Sequence, residues 1–269
     1  LLSNNNLDFI VYDYLAEITM SIMARARTKD PEKGYAIDFV SSVLKLNLRQ
    51  IADQKIKILS NAGGVNPESC AEAIRELIAE QKLDLKVSVV LGDDLMDKKE
   101  ELKDIKEMYS DAEFPEQDKI ASINAYLGAF PIAQALKDGA DIVITGRSVD
   151  SAVTLAACIY SFGWLENDYD KLASGSLAGH IIECGTQSTG GNFTDWELAS
   201  KDLHQIGYPI VEIKEDGVFD CSKSQNTTGL VSFGTVAEQM LYEIGDPQSY
   251  ILPDVICDFS KVKINEIEK

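Results

Sequence analysis

The stretch DIVITGRSVD, residues 141–150, decides the fold class. Its run Ile142 to Thr145 lies between an acid and a glycine turn, and polar and apolar side chains do not alternate along it. A strand covered on one face alternates, whereas a strand covered on both faces reads as a continuous apolar run. The turn leads directly into TLAACIY, residues 154–160, an apolar stretch that continues as a helix. Strand, turn and helix at this spacing form one crossover unit of a parallel sheet.

The same order recurs upstream. LDFIVYDYLAE, residues 7–17, predicts a strand over Leu7 to Tyr12 and a helix to about Arg27, stopped by Asp30-Pro31 and followed by a second helix over Ile37 to Asp53. KIKILSNAGGVNP, residues 55–67, predicts a strand from Ile56 to Leu59, a glycine turn and a helix from Pro67 to about Gln81, with proline in the first turn. KVSVVLGDD, residues 86–94, predicts a strand from Val87 to Leu91 and a helix from Asp94. The acidic EMYSDAEFPEQD, residues 107–118, reads as a loop before a helix carrying Ala125 to Leu136. The expected fold is therefore α/β, a mostly parallel open sheet with helices on both faces, in a single domain over residues 1–269.

From about Tyr208 the reading becomes richer in β structure. YPIVEIKEDGVFDC predicts a hairpin around Asp216-Gly217, followed by a helix from Thr235 to Ile244. DVICDF and KVKI are two further strand candidates. The chain opens without methionine and closes without a terminating element, so it reads as cut at both ends.

Several function classes lack their signatures. A net charge of −19 repels phosphate backbones, which argues against nucleic-acid binding. Five cysteines without a CxxC pair read as reduced thiols, so a cytoplasmic protein is expected. No apolar run reaches the ~18–20 residues of a membrane span. Neither GxGxxG nor GxxxxGK[ST] occurs, and no bound cofactor is predicted.

Ligands of open parallel sheets gather beyond the carboxyl ends of the strands. Three turns open there: Asn61 to Gly64, Gly92 to Asp94, and Gly146 to Asp150. In the first, Asn61, Gly63 and Gly64 let backbone and an amide approach a ligand, unless the turn is only a tight connection. In the third, Arg147 is suited to grip a carboxylate or phosphate, or else to form an ion pair with Asp150 that ties the turn. Asp93 and Asp94 read as a base or a cation-binding pair, or as ordinary caps before a helix, the cap being the reading favoured for Asp94.

GHIIECGTQSTGGNFTDW, residues 179–196, combines His180, Glu183 and Cys184 at the end of a helix expected from Lys171 to Gly185. His180 and Cys184 have locally zinc-like spacing but no second ligand pair, so no metal is predicted. Cys184 lies where the helix dipole opposes a thiolate, which disfavours a cysteine nucleophile. The following loop offers Gln187, Gly190, Gly191 and Asn192 with neighbouring hydroxyls to hold a polar ligand or an enolate oxygen. Its alternative is an irregular loop with Phe193 and Trp196 as core anchors. A desolvated Glu183 can act as general base, with Asp150 as a second proton carrier.

This last segment, with NAGGVNP, TGRSVD and YDYLAE, resembles the AtuA family, named for acyclic terpene utilisation, over nearly the whole chain. The resemblance implies an N-terminal domain fragment whose family members carry a strand and glycine-rich turn ahead of YDYLAE. It links the chain to breakdown of citronellol- and geraniol-type acids as coenzyme A thioesters, alongside acyl-CoA carboxylases. By resemblance the positions expected to line the site are Asn61, Gly63, Gly64, Arg147, Asp150, Glu183, Gln187, Gly190, Gly191 and Asn192. The expected function is a hydratase or lyase on a branched acyl-CoA, with coenzyme A as part of the substrate. The alternative is a non-catalytic partner of an acyl-CoA carboxylase, and a Cys184 hydrolase is a third. Symmetric homo-oligomers are expected on base rates.

Overall fold

The computed structural model describes residue 2 and residues 6–267. Its centre is a four-stranded parallel sheet in the order β1-β2-β4-β3, where β1 is Phe9–Tyr12, β2 Lys57–Ser60, β3 Val87–Val90 and β4 Ile142–Thr145. β4 is central and buried along its whole length, as its unbroken apolar run requires. Its register sets Ile142 against Ile58 and Val87, and Ile144 against Ser60 and Val89.

The two faces of the sheet carry separate cores. Ile10, Ile58, Ile142 and Ile144 pack against Phe39, Leu44, Leu48 and Ile51, and against Ile74 and Leu77. Those partners belong to a π-helical segment Phe39–Leu44 continuing into α2 (Lys45–Gln54), and to α3 (Pro67–Glu80). Leu59, Val90 and Val143 face the opposite way, into a core built by α5 (Phe130–Lys137), α6 (Ala152–Phe162) and α7 (Tyr169–Glu183). Before β2 lies α1 (Glu17–Lys29), whose Met20 and Ala24 cluster with Leu15 and Val65.

Several expected elements are shorter. Beyond β3 the chain makes only a 3-10 turn, Met96–Lys98, and one helical turn, α4 (Lys99–Leu102), with Ile105 and Met108 exposed. The segment leaves Ile105, Met108 and Tyr109 exposed, and short helices do not stand without a face packed on the core. The helix expected from Ala125 begins only at Phe130, with Pro131 in its first turn; the Ala129 N–H donates to the carboxylate of Asp254 at 2.8 Å. Downstream, β5 (Pro209–Ile213) and β6 (Phe219–Lys223) form the expected antiparallel hairpin, and α8 (Phe233–Leu241) follows. β7 (Tyr250–Ile251) pairs with β8 (Ile256–Cys257), but KVKI, residues 261–264, is not a strand: Val262 is exposed and pairs with no neighbour's backbone ladder.

The α6–α7 crossing fixes how the site is assembled. A methyl group placed on Gly179 would stand 2.8 Å from Cα, Cβ and O of Ser151 at the start of α6, while one on Gly175 would meet Leu155 and Trp164. Glycine four residues apart lets the two helix backbones approach closely at the point where the β4 turn enters α6. Gly179→Ala is expected to lower unfolding stability by about 1–3 kcal/mol, as overpacking does. Gly175→Ala, which meets side chains rather than backbone but two that are fully buried, is expected to be destabilising as well. Urea unfolding followed by circular dichroism checks both, and an unchanged midpoint for Gly179→Ala would contradict this packing.

Candidate functional site

Because β1, β2 and β4 are neighbours, the segments leaving their carboxyl ends lie side by side. Asp13 follows β1, Asn61 follows β2 and Asp150 ends the turn after β4. The close α6–α7 crossing brings Glu183, at the last turn of α7, to the same place. Carboxylate oxygens of Asp13, Asp150 and Glu183 all lie within 4.8 Å of one another.

Each carboxylate already has a donor. The Asn61 amide donates from Nδ2 to Oδ1 of Asp13, and its Oδ1 accepts from the Tyr14 N–H at 2.8 Å. Arg147 Nη1 donates to Asp150 Oδ1 at 2.8 Å. His180 Nδ1 is 2.9 Å from Glu183 Oε1. Among the described residues these three acids are the group whose ligand atoms are close enough to share a cation. With Arg147 on Asp150 and His180 on Glu183, the three acids stay within reach of one another, an arrangement that can share a proton.

The electrostatics agree with that reading. Burial, opposed by the His180 hydrogen bond and reinforced by the charges of Asp150 and Asp13, pushes Glu183 up to about 7. Burial, then Asp150, also raises Asp13. Three acids in reach of one another cannot all ionise without cost, so the cluster retains a proton near neutrality.

Arg147 forms the ion pair that the sequence left as the alternative to a ligand grip. It is 4% exposed, Nη1 also donates to the carbonyls of Leu15 and Ser148, and the Tyr126 ring lies 4.0 Å beneath the guanidinium. Its N–H donates to Asp93 Oδ2 at 2.7 Å, and Asp93 also accepts from Asn124, so Asp93 ties the β3 and β4 turns together. Asp94 accepts from the Met96 N–H at 3.0 Å and pairs with Arg27 at 3.5 Å, while the cap position of the following 3-10 turn is Leu95.

Gly63 and Gly64 are buried, and their missing side chains serve packing. A methyl on Gly63 would come within 2.4 Å of the Thr145 carbonyl; Gly64 has φ +55° and lies under Met23. The loop after α7 is a 3-10 turn, Gly185–Thr189. Gly190 is buried against Ala199, while Gly191 and Asn192 are exposed. Gln187 and Asn192 border a cavity of about 20 Å³ with Thr235, Gln239 and Tyr242, room for roughly one water. These loop residues therefore stand apart from the carboxylates in the contacts they make. Trp196 is 60% exposed and anchors no core; Phe193 packs on Gly234. Burial, then the charge of Glu183, pushes the Cys184 thiol up to about 12, which leaves it protonated and poorly nucleophilic.

Sequence reasoning missed Asp13, although it too sits at a strand end. It also missed Tyr126, which reaches Arg147 from the loop before α5 and donates to Glu17 Oε1 at 2.6 Å. A cavity of about 1160 Å³ forms a groove lined by Leu177, Ile181, Phe219, Val236, Met240 and Phe259. None of the three acids lines it, and the reactive groups place the candidate centre at the cluster. α7 thus presents Leu177 and Ile181 to the groove, and His180 and Glu183 to the acids.

The raised Glu183 has a consequence for stability. Unfolded, the group titrates near its ordinary 4.5; folded, it does so at about 7, so folding favours the protonated form. That stabilisation is full below about 4.5 and disappears as pH rises through about 7. Glu183→Gln is neutral at every pH and is expected to lose less stability than wild type between pH 5 and 8, by on the order of 3 kcal/mol. Parallel pH dependences in urea unfolding would contradict the burial of this carboxyl.

Among the described residues no helix is long and apolar enough to cross a membrane. No curated protein and no solved structure matches the chain. A family model described as acyclic terpene utilisation family protein AtuA matches residues 1–269. The whole sequence is thereby covered, and the chain belongs to the AtuA family of acyclic terpene utilisation proteins.

Proposed function

We propose that the chain is a hydratase or lyase acting on a branched acyl-CoA during the breakdown of acyclic terpenes. The observation that carries this reading is the convergence of Asp13, Asp150 and Glu183 within 4.8 Å, with Glu183 poised near neutral pH. General acid–base work is most efficient when the carrier titrates near the working pH. In the hydration direction, one ionised acid takes a proton from water as its oxygen bonds to the β carbon. A protonated neighbour gives a proton to the α carbon, so one proton enters the cluster and one leaves it. Lyase action runs the same steps in reverse.

Asp150 and Glu183 are the proton carriers in this scheme. Arg147 acts by holding Asp150, and Asn61 by holding Asp13. Asp150 keeps about a third of its side chain exposed, which gives the cluster its opening to solvent. The thioester and its branched chain enter the reading from the family's link to terpene use.

Incubating the protein with free coenzyme A, short acyl-CoAs and branched terpenoid acyl-CoAs, with thermal shift and mass analysis of products, tests this. Expected is a selective shift and a mass change of one water with a branched acyl-CoA. Asp150→Asn and Glu183→Gln are each expected to cut turnover by ~10²-fold or more while remaining folded. Unchanged turnover in both variants would overturn these roles. Absence of turnover together with co-purification of an acyl-CoA carboxylase at fixed stoichiometry would favour a non-catalytic partner.

A further inference from the structure

His180 is 3% exposed on α7, one turn before Glu183. Its Nδ1 contacts Glu183 Oε1 at 2.9 Å, and its carbonyl accepts from Gln239 Nε2 at 3.1 Å. Its ring centroid lies 6.2 Å from that of Tyr250. Nε2 is buried with no hydrogen-bond partner among the described residues. An ionised carboxylate only accepts, so when Glu183 is charged Nδ1 carries the shared proton.

A histidine kept merely to fill space would satisfy both nitrogens or be replaced without loss by an apolar side chain, because an orphaned buried nitrogen is costly. Here one nitrogen is orphaned while the other engages the carboxyl at the centre of the cluster. The geometry assigns His180 as a positioning residue: its Nδ1 contact holds the Glu183 carboxyl toward Asp13 and Asp150. This rests on the reading of Glu183 as proton carrier. The titratable groups facing Glu183 are Asp13 from the segment after β1, Asp150 from the β4 turn, Tyr250 from β7 and Cys184 on its own helix. Against these, His180 favours the ionised form, so its loss both frees the side chain and leaves burial and the two aspartates unopposed.

The test uses the unliganded protein and therefore does not depend on knowing the substrate. The Glu183 carboxyl is followed by NMR in protein carrying carbon-13 glutamate, assigned by its loss in Glu183→Gln. His180→Asn keeps a donor near the Nδ1 position and is expected to leave the protonation equilibrium within about threefold of wild type. His180→Leu, or His180→Gln if the leucine variant does not fold, is expected to displace it at least tenfold toward the protonated form. A raised wild-type Glu183 that none of these variants moves would overturn the positioning role and leave the proton-carrier reading standing. A wild-type Glu183 that titrates in the ordinary carboxylate range would overturn both.

Discussion

The close contact of Gly179 with the Ser151 backbone is the constraint on which the site depends. Asp150 immediately precedes that contact on one side, and Glu183 follows it by one helical turn on the other. A larger residue at the crossing would move α7 away from the β4 turn and separate the two acids. The parallel order β1-β2-β4 supplies the remaining component, because it sets the segment carrying Asp13 beside the turns carrying Asn61 and Asp150. Packing between helices and pairing between strands thus converge on one carboxylate cluster.

Charge then determines what the cluster can do. Arg147 is buried and neutralises Asp150, while Tyr126 and Glu17 cover the outer side of the guanidinium. Asp13 is hydrogen-bonded to a neutral amide, and the Arg147 charge favours its ionised form less than burial and Asp150 oppose it. With Glu183 on a histidine, the three acids together carry more negative charge than their neighbours offset. A retained proton is the simplest response, and it is what a group that must both accept and release protons requires. The net negative charge of the chain is compatible with this, since the reactive groups act within a few ångströms and exposed charges more than about 10 Å away are largely screened.

The sheet was legible because its signal is local. The unbroken apolar run of β4, Pro67 opening α3 and the glycine turns all report on their own positions, and strand and helix limits followed to within a few residues. Strand order was not legible, since nothing in residues 57–60 or 87–90 states that β4 inserts between those strands. The helix expected from Asp94 shrinks to two single turns and KVKI forms no strand, because local propensity alone supplies neither a packing surface nor a ladder partner. At the site, Asp150 and Glu183 were recognisable as acids beside turns, whereas Asp13 passes for an ordinary cap, and it does accept from the Leu15 N–H at 3.1 Å. Arg147 was legible as important but ambiguous in role, because a ligand grip and an internal ion pair demand the same residue. Gly63 and Gly64 were singled out for approach to a ligand; their neighbours show that packing also requires the missing side chains.

The central claim is that Asp13, Asp150 and Glu183 form one centre that keeps a proton near neutral pH. A potentiometric difference titration of folded wild type against Glu183→Gln measures that proton directly. The account predicts that wild type releases about one proton more than the variant between pH 6 and 8. If the difference instead falls entirely below pH 5, the three carboxyl groups titrate as separate surface acids and the account is wrong.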